Sequence, residues 1–420
     1  MMNNYLRLLL GFILSFPLVS HASDIEVLHW WTSKGETSAV NILKQMVDQD
    51  GDHWKNFAVE GGGGKSAIAT LRSRALAGNP PTAAQLKGKE LMEWAELGFL
   101  KNLDELARKQ NWSDRLPPLL QKDLRYKGHY VAVPTDIHRV NWVWINPTLY
   151  KRYKLSVPKT WQQLLNNAKI LKKHGVTPLA IGNQAWQLSV LFESIALGVG
   201  GQQFFIDAFV KQDEKALSGP TMVKVLELFH KFRAYVPKNN NNLSWDSATR
   251  MVLRGDAAMQ VMGDWAKGEI TLAGKIPGKD IWCVSAPGTE DLFDYNIDSL
   301  AMFKSRDNSM WPAQERLTHI IMSHKFQREF SLAKGSIPAI QGISLKGFDV
   351  CAQKSYHDFI EGEKQGSLVP SLSEGMAANS EIRRAVIDTI ASYFDSPRGD
   401  AKQTASRLAK VVASTRSQGY

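Results

Sequence analysis

The sequence predicts an α/β protein of two lobes, each a sheet flanked by helices. Three observations carry this. Short apolar, β-prone stretches alternate with helical ones through the first third of the chain, the pattern of a doubly wound sheet. A second α/β region follows a crossing at Pro134-Thr135-Asp136. The length, 420 residues, exceeds what one hydrophobic core serves well.

The elements follow in order. A strand over 25–29 leads to a helix over 38–49. A strand over 54–59 leads through a glycine run to a helix over 65–77. Gly78-Asn79-Pro80-Pro81 stops that helix, because proline cannot continue it, and a third strand follows over 82–86. A helix over 89–97 and a hairpin over 126–133 complete the first region. The second holds strands over 140–145, 178–181, 257–262 and 281–286, with helices over 160–174, 187–197, 222–235 and 246–254. The chain closes with a strand over 299–303 and helices over 312–323, 325–334, 379–394 and 400–417. Asn239-Asn240-Asn241-Asn242 reads as a solvated turn.

Ahead of the first strand, Arg7 precedes an apolar run over 8–19. About a dozen apolar residues are too few to span a bilayer. Ser20-His21-Ala22 offers small residues at both peptidase-read positions, so cleavage of a signal is expected after Ala22. Export permits a disulfide between Cys283 and Cys351, and two cysteines with no third suit a pair. Spacing alone does not bring them together. The net charge is +10, spread among interleaved acids with no basic block, which argues against nucleic acid as a partner.

Most enzyme signatures fail. Gly64-Lys65-Ser66 suggests a phosphate loop, but Val59 stands where its first glycine belongs. Ser156-Val157-Pro158-Lys159 matches a β-lactamase motif by letter but contains proline and lacks companion motifs. The histidines are dispersed, so no metal site is expected. Carboxylates at predicted loop ends (Glu36, Asp136, Asp264, Asp298 and Glu374) leave an exported glycoside hydrolase as the alternative. They serve equally as charge-assisted acceptors for sugar hydroxyls.

Tryptophan points to the class of ligand and leaves both readings open. His29-Trp30-Trp31-Thr32-Ser33-Lys34-Gly35-Glu36 sets two indoles at the carboxyl end of the first strand, where ligands of open α/β sheets bind. Gly263-Asp264-Trp265 repeats the arrangement after a later strand. Large rings at strand ends suit a flat ligand with an apolar face, such as a pyranose.

These segments, in order with Gln85-Leu86-Lys87-Gly88, His138-Arg139-Val140-Asn141-Trp142, Asn296-Ile297-Asp298-Ser299, Lys334-Gly335-Ser336-Ile337-Pro338 and Val369-Pro370-Ser371 with Gly375-Met376, resemble the sugar-binding proteins of ABC transporters, close to their periplasmic glucose-binding branch. The resemblance covers essentially the whole chain after the signal. It implies the two-lobed periplasmic-binding-protein fold, with residues 23–135 and about 290–338 in the N-terminal lobe and 136–289 and about 339–420 in the C-terminal lobe. It implies a monomer without cofactor or catalysis, exported to the periplasm, that delivers a monosaccharide (glucose or a related hexose) to the membrane permease subunits of an importer. By resemblance Trp30, Trp31 and Trp265 enclose the ring, Glu36, Lys87, Asn296 and Lys334 bond its hydroxyls, and Asp264 and Asp298 support them. Glu374 stands where close relatives carry histidine, and Lys34 adds charge to a turn that is usually glycine-rich. An anion in the site suggests a sugar other than plain glucose, including an amino sugar whose ammonium would pair with Glu374.

Overall fold

The computed structural model describes residues 23–60, 64–306 and 308–418; the expected signal segment and Gly61 to Gly63 lie outside them. The strands are β1 (Asp24–His29), β2 (His53–Ala58), β3 (Ala83–Leu86), the short hairpin β4 (Arg125–Tyr126) and β5 (His129–Tyr130), β6 (Ala132–Arg139), β7 (Trp142–Ile145), β8 (Thr177–Leu179), β9 (Ala257–Val261), β10 (Trp282–Ser285), β11 (Phe293–Met302) and β12 (Leu368–Pro370). The first sheet pairs β1 parallel with β2 and β3, and β11 antiparallel with β3 and β6. The short β12 joins β11 in parallel. The second sheet runs β10-β7-β9-β8. Helices cover both sheets, and each sheet has its own hydrophobic core.

The alternation of the first region folds as its periodicity dictates. The helix Lys34–Gln49 begins four residues earlier than the apolar pattern suggests, because Ser33 and Glu36 form a capping box. Such a cap satisfies two otherwise orphaned N–H groups and contributes about 1 kcal/mol. The helix Trp161–Lys173 starts on the same device, Thr160 with Gln163.

Three expectations are corrected. The crossing is not at residues 134–136, which lie inside β6; β6 stays in the first sheet to Arg139, and the chain passes over at Val140-Asn141. Asn141 then fastens the outgoing to the returning crossing, donating to Thr289 Oγ1 at 2.8 Å and to the Leu292 carbonyl at 3.0 Å. The strand expected over 299–303 reaches back to Phe293. The segment from 339 onward is not all second-lobe: Ala339, Ile340, Ile343 and Phe359 pack in the first core, whereas Cys351 packs in the second.

That last division runs through the helix Val350–Gln365, which the sequence reading missed. Its buried face is Cys351, Ala352, Ser355, Phe359 and Gly362. Small and polar residues give no apolar stripe, so the 3.6-residue period was hidden. Cys351 in its first turn is disulfide-bonded to Cys283 on β10, with 6.1 Å between Cα atoms and 68 residues between them in the chain. The bond pins a helix shared by both cores to an edge strand of the second sheet. Replacing both cysteines by serine is expected to lower the unfolding free energy by about 2–5 kcal/mol. A denaturant midpoint unchanged from the wild type would refute this.

Candidate functional site

The carboxyl ends of β1 and β3, one face of β11 and the starts of five helices surround a cavity of about 450 Å³, within the range of about 300–1,000 Å³ usual for ligand pockets. Trp30 follows β1, and Gln85 of β3 holds it by accepting its backbone N–H at 3.2 Å. Asn296 and Asp298 alternate on β11, so both face the cavity. His138 stands opposite Asn296 across the β6–β11 ladder.

Lys87 ends β3 and sits at the N-cap of the helix Gly88–Glu96. Gly88 has φ 54°, and a Cβ there would lie 2.2 Å from the Gly375 carbonyl oxygen. Only glycine permits that approach, and it sets Lys87 against Glu374, whose carboxylate accepts from the Lys87 ammonium. On the opposite side Lys334, at the C-terminal end of the helix His324–Lys334, reaches Glu36 at 3.2 Å. The other Glu36 oxygen closes the capping box.

Asp298 lies between these pairs. It accepts from Trp31 Nε1 at 3.2 Å and Asn296 Nδ2 at 3.1 Å, with Lys87 at 4.0 Å. Burial alone would raise its pKa. The His138 imidazole, 3.6 Å away, together with the charges of Lys87 and Lys334, outweighs burial and holds the carboxyl well below its ordinary range. His138 is the converse. Burial disfavours its charge, but Asp136 and Asp264 lift its pKa well above the usual value. Its Nδ1 lies 2.5 Å from Asp264 and its Nε2 3.0 Å from Asp136. Asp136, His138 and Asp298 bring possible ligand atoms within 4.8 Å of one another. Asp136 and Asp264 favour the protonated form of His138, which offers no lone pair to a metal, so the set suits one poorly.

Of the ten residues expected at the site, nine line this cavity and Asp264 does not. Asp264 lies behind the wall, fully buried, and also accepts the Arg139 backbone N–H at 3.1 Å. It orients His138. Trp31, expected with Trp30 and Trp265 to enclose the ring, is 2 % exposed, stacked with His29 and edge-on to Phe330. Trp265 is 7 % exposed and meets His138 edge-on. Trp30 alone of the three is half-buried, with the Lys87 ammonium 5.5 Å over its ring. Glu374 does face the cavity, but its charge is matched by Lys87 rather than left for a ligand ammonium. Lys34 is exposed and outside the lining.

The far wall was missed. Trp186, at the start of the helix Ala185–Phe205, and Ser244, Trp245 and Asp246, at the start of the helix Trp245–Arg254, face the cavity from the second lobe. Trp186 hides in an apolar run that reads as core. Ser244-Trp245-Asp246 carried a usable signal, an N-cap serine followed by an indole at a helix start. The assembled cavity thus offers aromatic surfaces on both sides and paired charges along its floor. Two buried polar atoms on its wall, Asn296 Oδ1 and His138 Nε2, lack a well-directed hydrogen-bond partner among the described residues.

Residues 41–309 match the bacterial extracellular solute-binding protein family. The chain is 38% identical over 392 residues to a probable sugar-binding periplasmic protein of Rhizobium meliloti (strain 1021), covering 93% of this chain and 94% of that protein. Among solved structures it is similar to the bacterial solute receptor AcbH, described as having an exclusive preference for β-D-galactopyranose, with TM-score 0.79, 18% identity, and coverage of 95% of this chain and 99% of that one. It is also similar to a chitin oligosaccharide binding protein, with TM-score 0.80, 17% identity, and coverage of 94% and 99%. These two likenesses concern the fold.

Proposed function

The chain belongs to the bacterial extracellular solute-binding proteins, which bind solutes rather than transform them, and from that premise we propose that its cavity captures a monosaccharide, glucose or a related hexose, for delivery by a periplasmic receptor to the permease subunits of an ABC importer. One observation supports this above the others. The pairs Lys87–Glu374 and Lys334–Glu36 share a single cavity with five tryptophans, Trp30, Trp31, Trp186, Trp245 and Trp265. A pyranose has apolar C–H faces and a rim of hydroxyls, so indoles suit the faces and charged groups the rim. The unpartnered Asn296 Oδ1 is a ready acceptor for a hydroxyl. Micromolar binding needs roughly 8 kcal/mol, which a few charge-assisted hydrogen bonds of about 1.5–3 kcal/mol each can supply after desolvation. The cavity volume lies toward the low end of the usual range, which favours one ring over a chain of rings.

The carboxylates are poorly arranged for hydrolysis. A glycosidase needs one carboxyl kept protonated as the acid. Asp298 is held ionised, and Glu36 and Glu374 are each engaged by a lysine.

A thermal-shift panel of D-glucose, D-galactose, D-xylose, D-glucosamine, maltose and chitobiose tests the reading. A ligand present at 100 times its Kd stabilises by about 2.7 kcal/mol, enough for a plain rise in Tm. The expected result is a rise with at least one monosaccharide. A rise with the disaccharides alone would replace the monosaccharide by a longer glycan, and no rise with any sugar would sink the assignment.

A further inference from the structure

Glu193 is a carboxylate in the middle of an apolar helix, Ala185–Phe205, and it is fully buried. Among the described residues no side-chain cation is bonded to it. Its partners are all on one short segment after β12. One oxygen accepts the backbone N–H groups of Leu372 at 2.7 Å and Ser373 at 2.9 Å, and the hydroxyl of Ser371 at 3.1 Å. The other accepts the hydroxyls of Ser371 at 3.1 Å and Ser373. Ser371 Oγ in turn accepts the Glu374 N–H at 3.1 Å. An acid buried in an apolar helix costs several kcal/mol, so the protein retains it against a substantial penalty. What it holds is the segment that presents Glu374 to the cavity. On its own helix, Glu193 lies seven residues beyond Trp186, on the same face and about 10 Å along the axis.

We propose that Glu193 is a positioning residue for sugar recognition: it fixes the segment carrying Glu374, and with it the Lys87–Glu374 pair, in register with the helix that carries Trp186. The inference rests on the saccharide reading of the cavity. One carboxylate thereby sets the floor of the site against its far wall, although it touches no ligand. Around it stand Glu374 on the held segment, Asp294 on β11 with both oxygens unpartnered, and Arg139 on β6 facing Asp294. Burial and the neighbouring Glu374 push the Glu193 pKa up to about 7, against the hydrogen bonds from Ser373 and Ser371. The ionised form accepts all these donors. A proton on Glu193 turns one acceptor position into a donor, so a Ser371 or Ser373 hydroxyl must reverse its hydrogen bond or the contact is lost, and recognition is expected to weaken as the pH falls through that value.

The test titrates D-glucose and D-galactose by calorimetry at several pH values into the mature protein and its Glu193→Ala, Glu193→Gln, Glu374→Gln and Glu193→Ala/Glu374→Gln variants. Loss of these hydrogen bonds is expected to weaken binding about tenfold to a hundredfold in Glu193→Ala. Adding Glu374→Gln to it should change little, because both substitutions break one device. Glu193→Gln should fold and lose the inflection near neutral pH that the wild type shows. Additive losses, or a Gln variant with the wild-type profile, would overturn the proposal. Hydrogen exchange at the Leu372 and Ser373 amides gives a readout without sugar. It should accelerate in both Glu193 variants, and unchanged protection would also overturn the proposal. Failure of the wild type to bind any sugar would count against the saccharide reading alone.

Discussion

Asp298→Ala is expected to lower the unfolding free energy by about 3–5 kcal/mol, the usual cost of leaving buried opposite charges uncompensated, and to abolish sugar binding. The wild-type carboxylate adds one negative charge within the field of Lys87, His138 and Lys334 and holds the Trp31 indole N–H. Removing it leaves Lys87, Lys334 and His138 with one carboxylate fewer among the buried charges, although Glu374, Glu36, Asp136 and Asp264 still pair with them, and opens a small void beside the Trp31 indole N–H. Asp298→Asn keeps an acceptor for Trp31 but not the charge, so it should fall between the two. The pH dependence gives a second check. The folded carboxyl titrates well below its ordinary value of 3.8, so its stabilisation is complete above that value and is lost as the pH falls through it toward the folded pKa. Denaturant midpoints compared at pH 7 and pH 3 should therefore show a smaller acid sensitivity in Asp298→Ala than in the wild type. A loss under about 1 kcal/mol, the level of a surface pair, would mean that the network is solvated and that its charges are not coupled.

The sequence made the first sheet legible because its strands are short apolar runs separated by amphipathic helices, and periodicity reports such patterns directly. It was silent where a polar residue is buried on purpose. Asp294, Asn296 and Asp298 alternate through the first half of β11 and read as loop, yet all three are buried. The chemistry of the cavity and the disguise of the strand have the same origin. Lys87 and Glu374 could be named separately, but their pairing depends on a glycine contact between residues 287 positions apart in sequence, which no local pattern carries. Glu193 was invisible for the opposite reason: its helix is so apolar that one acid reads as an exception rather than as an anchor.

Trp30→Ala is expected to weaken sugar binding about tenfold to a hundredfold, the effect of truncating an aromatic hot spot, while leaving the unfolding midpoint near that of the wild type. Trp31→Ala should do the reverse, costing about 3–5 kcal/mol of stability as a core aromatic truncation does. Adjacent in sequence and equivalent on paper, the two rings leave β1 on different courses. Trp31 turns inward against His29 and Phe330 and ties its N–H to Asp298. Trp30 remains half-buried on the cavity wall, backed by Gly64, where a Cβ would stand 3.0 Å from the indole. Gly64 also has φ 91°, a conformation that disfavours any side chain. Gly64→Ala should therefore tilt the Trp30 ring and reproduce part of its binding loss without touching the charged floor. Calorimetric titration with the sugar that gives the largest thermal shift, alongside denaturant unfolding of the three variants, separates the two roles. If Trp30→Ala bound that sugar as tightly as the wild type, the ring would not be a ligand platform, and recognition would fall to Trp186 and Trp245 on the opposite lobe.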